Sequence, residues 1–193
     1  MTLQQIKDKK QIIIAVVGLL GSGKTEATQQ FVERGFSRVG FNDVFYEAFR
    51  QSGLEYSEPN ERKIREKLRQ EFGMGVTALK SLPKVRQFLQ EGRPVVIESL
   101  QSWDEYKIMK EKFGDDFRVL AIYAPPGIRY ARLIHRPVRP LANDMAQSRD
   151  YAEIENAEKA GPIAMAEWTI ANIGSKEKFL HEVDALIQEL LRG

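Results

Sequence analysis

Ile12-Ile13-Ile14-Ala15-Val16-Val17-Gly18-Leu19-Leu20-Gly21-Ser22-Gly23-Lys24-Thr25 decides the fold of this chain. An unbroken apolar run predicts a strand covered on both faces, and an amphipathic pattern from Lys24 predicts a helix. Between them, Gly18 to Thr25 fits G-x-x-x-x-G-K-[ST] in the strand–turn–helix setting that gives the pattern physical meaning. Glycines at 18, 21 and 23 let the backbone fold back so that N–H groups converge on phosphate oxygens. The helix adds its free N-terminal donors and the positive end of its dipole. Lys24 would reach the β- and γ-phosphates, and the Thr25 hydroxyl would ligate Mg²⁺. Gly18, Leu20, Gly21, Ser22, Gly23, Lys24, Thr25 and Glu26 are therefore the predicted triphosphate-binding set.

Working outward, short apolar runs alternate with longer amphipathic ones. That pattern predicts an α/β fold with a parallel sheet and helices on both faces. The predicted strands are Ile12–Val17, Ser37–Phe41, Pro94–Glu98, Phe117–Ala124 and Glu167–Asn172. The predicted helices are Lys24–Arg34, Val44–Ser52, Asn60–Phe72, Val76–Glu91, Ser102–Phe113, Pro126–Arg136, Arg149–Lys159 and Lys176–Leu191. Gly35, Gly53, Gly73, Gly92 and Gly114 follow five of these, where helices commonly end in a left-handed residue. Two stretches exceed a simple crossover: the helical region 42–92, and an irregular segment 137–150 carrying Pro137, Pro140 and Asn143. Ligands of such sheets bind beyond the carboxyl ends of the strands, where both stretches begin. They are expected to cover the phosphate loop as an acceptor-binding insertion and a lid of one domain.

The whole-chain totals narrow the function. A length of 193 residues suits one buried core. A net charge of +2 offers no support for nucleic-acid or membrane-surface binding. Without cysteine, and with only His135 and His181, disulfides and thiolate metal sites are excluded and an imidazole zinc site is disfavoured. Met1 to Gln11 is polar and lysine-bearing, and the apolar run 12–20 is half a membrane span. The expected setting is the cytoplasm.

Candidate chemistry lies in the arginines and in acids at strand ends. No acidic residue occurs from Phe117 to Asn143, yet Arg118, Arg129, Arg132, Arg136 and Arg139 do. Arg129, Arg132 and Arg136 share one helix face, and a stripe of one sign implies an anionic counterpart, as phosphate is. The alternative is a basic face paired with acids distant in sequence. Arg69 ends a mixed-charge helix before Phe72-Gly73-Met74-Gly75 and is the candidate there for a second, phosphate-bearing substrate. Glu98, after Val95-Val96-Ile97, stands where an acid orders Mg²⁺. Asp43 could cap its helix, orient Mg²⁺ or accept a substrate hydroxyl proton. Asn172-Ile173-Gly174-Ser175 follows the last strand and could contact a base or simply turn the chain.

These segments together resemble the P-loop kinases of small molecules, above all the nucleoside monophosphate and dephospho-coenzyme A kinases. Closer still is the likeness to the archaeal adenylate kinase-related, dephospho-coenzyme A kinase-like proteins. The likeness runs through Gly18–Thr25, Asn42-Asp43-Val44, Leu68–Gly73, Val95–Ser99, Arg132–Arg136, Arg149-Asp150 and Asn172–Ser175. It implies a five-stranded sheet in the order 2-3-1-4-5. It also implies lid arginines at Arg132 and Arg136, a further arginine at Arg149, and an adenine-contacting turn at Asn172, Gly174 and Ser175. Two departures fall on the acceptor side: Tyr46 and Gln101 stand where monophosphate kinases carry arginine, and Glu98-Ser99 replaces their Asp-Gly.

The expected activity is ATP- and Mg²⁺-dependent phosphoryl transfer to a small, nucleotide-like acceptor. Lys24, Asp43, Arg132 and Arg136 are the catalytic candidates; Asp43, Arg69, Glu98, Gln101 and Arg149 would hold substrate, and Thr25 and Glu98 the metal. A nucleotide-binding protein without acceptor chemistry and a simple NTPase are the alternatives.

Overall fold

The computed structural model describes residues 11–55, 57–137 and 140–192. The polar segment ahead of Gln11, and Arg139, lie outside them. Five parallel strands, β1 (Ile13–Val17), β2 (Ser37–Gly40), β3 (Val95–Glu98), β4 (Phe117–Tyr123) and β5 (Trp168–Ala171), form one sheet in the order β2-β3-β1-β4-β5. That is the expected order. Register pairs Ile13 with both Val95 and Phe117, which places β1 at the centre.

The helices are α1 (Lys24–Glu33), α2 (Asp43–Ser52), α3 (Glu58–Phe72), α4 (Val76–Gln90), α5 (Trp103–Phe113), α6 (Pro126–His135), α7 (Asn143–Glu155), α8 (Ala160–Ala164) and α9 (Lys176–Arg192). Strand side chains alternate between faces, so the central strands β1, β3 and β4 feed two cores. Ile13, Ala15, Val17, Ile97, Val119 and Ala121 pack with Ala78, Leu82 and Val85 of α4 and Met109 of α5. Ile14, Val16, Val96, Leu120 and Ile122 pack with Phe31 of α1 and Phe179, Val183 and Ile187 of α9. Every side chain of β1 is buried, which explains its unbroken apolar run. The five glycines after helices all take positive φ.

Three elements differ from their sequence reading. The helix predicted from Arg149 starts at Asn143 and ends at Glu155. Pro140 and Asn143 had marked its first turns as irregular, although Asp144, Ala146 and Gln147 continue the helix without strain. Helix α8 was not among the predicted helices; its Pro162 lies in the first turn, where the missing N–H leaves no bond unmade. Asp43 does not cap α2. The residue ahead of that helix is Asn42, no side-chain cap bond forms, and the Asp43 carboxylate turns to Arg38 instead.

Candidate nucleotide-binding cleft

The loop after β1 wraps on itself. Ser22 N–H and the Lys24 ammonium both donate to the Leu19 carbonyl, at 3.2 and 3.0 Å. Gly23 opens α1 with φ +106°, and a Cβ there would run into the Asn172 amide. This close approach lets Asn172 Nδ2 donate to the Ser22 carbonyl at 2.8 Å, fixing the loop against the end of β5. At the foot of the loop Gly18 has φ +143°, and a Cβ would collide with the Ile122 carbonyl and Ser22 Oγ. Only glycine satisfies both positions.

Beyond the loop opens a cleft of about 750 Å³. It is lined by Leu20, Gly21, Gly23, Lys24, Thr25 and Glu26 of the loop and the head of α1, and by Arg132, Leu133, Arg136 and Pro137 at the end of α6. Arg149 and Glu153 of α7, Lys159, Asn172, Gly174, Lys176 and Phe179 also line it, as do Asn42 and Glu98 to Gln101. Thr25 and Glu98 thus share the cleft, and a hydroxyl with a carboxylate is an oxygen donor set suited to Mg²⁺.

Charge and hydrogen bonding set the state of the lining side chains. Burial, then the neighbouring positive Lys159 and Arg129, outweigh Glu153 and Glu98 and lower the Lys24 ammonium to a pKa of about 7. Arg132 Nη2 donates to the carbonyl and side-chain oxygens of Asn172 at 3.0 and 3.1 Å, while its Nη1 is buried with no hydrogen-bond partner. Arg129 turns away from the cleft. It meets Asp150 in a bidentate pair of 2.9 and 2.6 Å and donates to the Leu20 and Ala124 carbonyls. For Arg129 the distant-acid alternative holds, whereas Arg132 and Arg136 face the cleft.

For the residues expected to hold an acceptor, the placement is mixed. Gln101 lines the cleft and donates to Asn42 Oδ1 at 3.1 Å. Asp43 and Arg69 are outside the lining. Arg69 lies over the Phe45 ring with its Nε buried and unpartnered, and desolvation lowers its pKa. Arg38 of β2 holds both candidate acids, Glu98 at 2.6 Å and Asp43 at 3.2 Å. Gly18 and Ser22 do not line the cleft, and the Ser175 hydroxyl accepts from Lys178 N–H at the start of α9. Sequence reasoning missed Arg38, Glu153, Lys159 and Lys176. Arg38 lay in a predicted strand and the others in predicted helices, where no local pattern marked them as lining or bordering a site.

A family model described as an AAA domain matches residues 14–156. A UPF0200 protein of Thermococcus gammatolerans is 33% identical over 185 residues, covering 94% of this chain and 97% of its own length. The chain belongs to the UPF0200 family and carries the AAA domain. Among solved structures, dephospho-CoA kinase from Campylobacter jejuni superposes with TM-score 0.56 at 19% identity, covering 95% of this chain and all of its own. Shikimate kinase from Bacteroides thetaiotaomicron gives TM-score 0.56 at 17% identity, over 94% and 99% of the two chains. This member of UPF0200 therefore has the P-loop, kinase-like fold. No helix among the described residues is long and apolar enough to cross a membrane.

Proposed function

We propose that the protein is a phosphotransferase that moves the γ-phosphoryl of ATP to a small, nucleotide-like acceptor of the nucleoside monophosphate or dephospho-coenzyme A type. The observation that carries this reading is the Lys24 ammonium folded across a self-wrapped loop at the head of α1, with Arg132, Arg136 and Arg149 lining the same cleft. In such a transfer an acceptor oxygen, a phosphate oxygen of a monophosphate or a hydroxyl of dephospho-coenzyme A, forms the new bond to Pγ as the bond from Pγ to the β–γ bridging oxygen breaks, and ADP leaves. Where the acceptor is a hydroxyl, its proton passes to a carboxylate, for which Asp43 is the candidate once Arg38 shifts. Amides of the loop and Lys24 hold the polyphosphate, and Arg132 and Arg136 stabilise charge on the moving group. Thr25 and Glu98 would hold Mg²⁺, which when bound offsets charge on the β- and γ-phosphates. The lid segment excludes water, favouring transfer over hydrolysis.

A second reading, nucleotide binding without transfer, is favoured by one observation: Asn42 and Gln101 pair as neutral amides on the acceptor side. An assay with ATP, Mg²⁺ and AMP, CMP, dUMP, dephospho-coenzyme A or shikimate separates the two. Phosphorylated product supports transfer, and tight ATP binding without product supports the second reading. Phosphate release without acceptor marks a simple NTPase. Lys24→Ala is expected to abolish turnover; full activity in that variant removes the proposed site.

A further inference from the structure

Lys159 is absent from every motif in the chain, yet it is built into the cleft. Its side chain is 5% exposed and pairs with Glu153 at 2.7 Å. It also borders the same cleft as Lys24 and acts on Lys24 as a neighbouring positive charge. The backbone that presents it is constrained. Glu158 takes φ +51°, a left-handed conformation uncommon for a residue with a Cβ. Lys159 N–H closes onto the Glu153 carbonyl at 3.2 Å, and Gly161 lies so close to Trp103 of α5 that a Cβ would meet its ring.

A lysine held in this way beside another lysine, in a cleft that desolvates both, is unfavourable when the cleft is empty. Two like charges shielded from water repel more strongly than two at the surface. An anion seated between them turns that repulsion into attraction. Glu153 keeps Lys159 compensated meanwhile, and Glu153 also lies 3.8 Å from Arg149. Displacing one carboxylate therefore releases two cations to a ligand.

We propose that Lys159 is a second phosphate-binding cation of this cleft, compensated by Glu153 in the empty protein and transferred to the polyphosphate of a bound nucleoside triphosphate. The inference rests on the nucleotide-binding reading above and extends it to a residue of the α7–α8 connection. A purely structural Lys159–Glu153 tether is the competing account, and the two differ in sign. A tether is damaged alike from either end. A phosphate cation loses affinity when the lysine goes and gains it when the competing carboxylate is neutralised.

The test is calorimetric titration of the full chain with MgATP, and with inorganic tripolyphosphate to remove contributions from the base. Lys159→Met is expected to weaken both ligands by roughly tenfold or more, the loss of one charge-assisted hydrogen bond. Lys159→Arg should stay within a few-fold of wild type, and Glu153→Gln should bind more tightly than wild type. Equal affinity of wild type and Lys159→Met overturns the proposal and leaves nucleotide binding intact. Weakening by Glu153→Gln to the same degree as Lys159→Met establishes the tether. If Lys159→Met does not fold, the sign of the Glu153→Gln effect decides alone. A wild-type protein that binds neither ligand removes the nucleotide reading, and this inference with it.

Discussion

At the scale of single residues, the most consequential setting is that of Lys24. Burial and the charges of Lys159 and Arg129 bring its pKa from 10.5 to about 7, against the opposing pull of Glu153 and Glu98. A bound triphosphate favours the charged form and raises that pKa again. Between pH 7 and 9 the free protein then holds less proton at Lys24 than the complex does. Binding takes up a proton, and affinity falls as pH rises across this window. Titrations at pH 8 in buffers of different ionisation enthalpy should show the uptake; proton release at that pH contradicts the assignment. Arg129 makes the other residue-scale case. Its guanidinium is buried against Asp150, so Arg129→Met strands a buried carboxylate and should cost about 3–5 kcal/mol by denaturant titration. Because Arg129 also holds the Leu20 carbonyl, the same variant should weaken MgATP binding. A loss below about 1 kcal/mol would remove this role, being the ordinary yield of an exposed pair.

At the scale of elements, the start of α5 beside the cleft is organised by one buried carboxylate. Glu105 of α5 accepts from the backbone N–H groups of Gln101 and Ser102, at 2.5 and 3.1 Å, and from the Thr77 hydroxyl of α4. It forms a capping box with Ser102, so one side chain both starts α5 and joins it to α4. Burial raises its pKa above 4.5, outweighing these bonds and the attraction of Arg69. The folded state thus holds this proton more tightly than the unfolded chain. Its contribution is full below about pH 4.5 and declines as pH rises through the folded value. Glu105→Gln can accept the two N–H groups and donate to Thr77, without burying charge. It should melt no lower than wild type at pH 8, with a flatter profile above pH 4.5; a larger drop at pH 8 than at pH 5 contradicts this. The sequence showed α5 and its Ser102 start clearly, since Ser-x-x-Glu is a local signal. It did not show that Glu105 reaches α4, because Thr77 is distant in the chain.

For the whole molecule, the cleft stands where the chain must put it. β1 lies between β3 and β4, and the connections from these central strands leave towards opposite edges of the sheet, opening a crevice above the carboxyl end of β1. Elements from both halves border it, so a ligand that fills it contacts Asn42, Arg149 and the loop at once. MgATP at about a hundredfold its Kd should raise unfolding free energy by about 2.7 kcal/mol, read as a shift in denaturant midpoint. In Lys24→Ala the shift should largely vanish. An equal shift in both proteins would place the nucleotide elsewhere.

By itself the sequence determined what depends on neighbours along the chain. Gly18 to Thr25 could only wrap, the apolar run of β1 could only be central, and strands alternating with helices could only stack in three layers. Turn chemistry and hydrophobic period act over a few residues and are written there. The tertiary structure decided which charges meet. The stripe Arg129, Arg132 and Arg136 was legible as a face, but Asp150 claimed the first and the cleft took the other two. Asp43 and Glu98 were legible as strand-end acids, while Arg38 between them was not anticipated. Lys159 beside Lys24 was hidden altogether. Charge interactions depend on distance through space and on local dielectric, and only the closed fold sets either quantity.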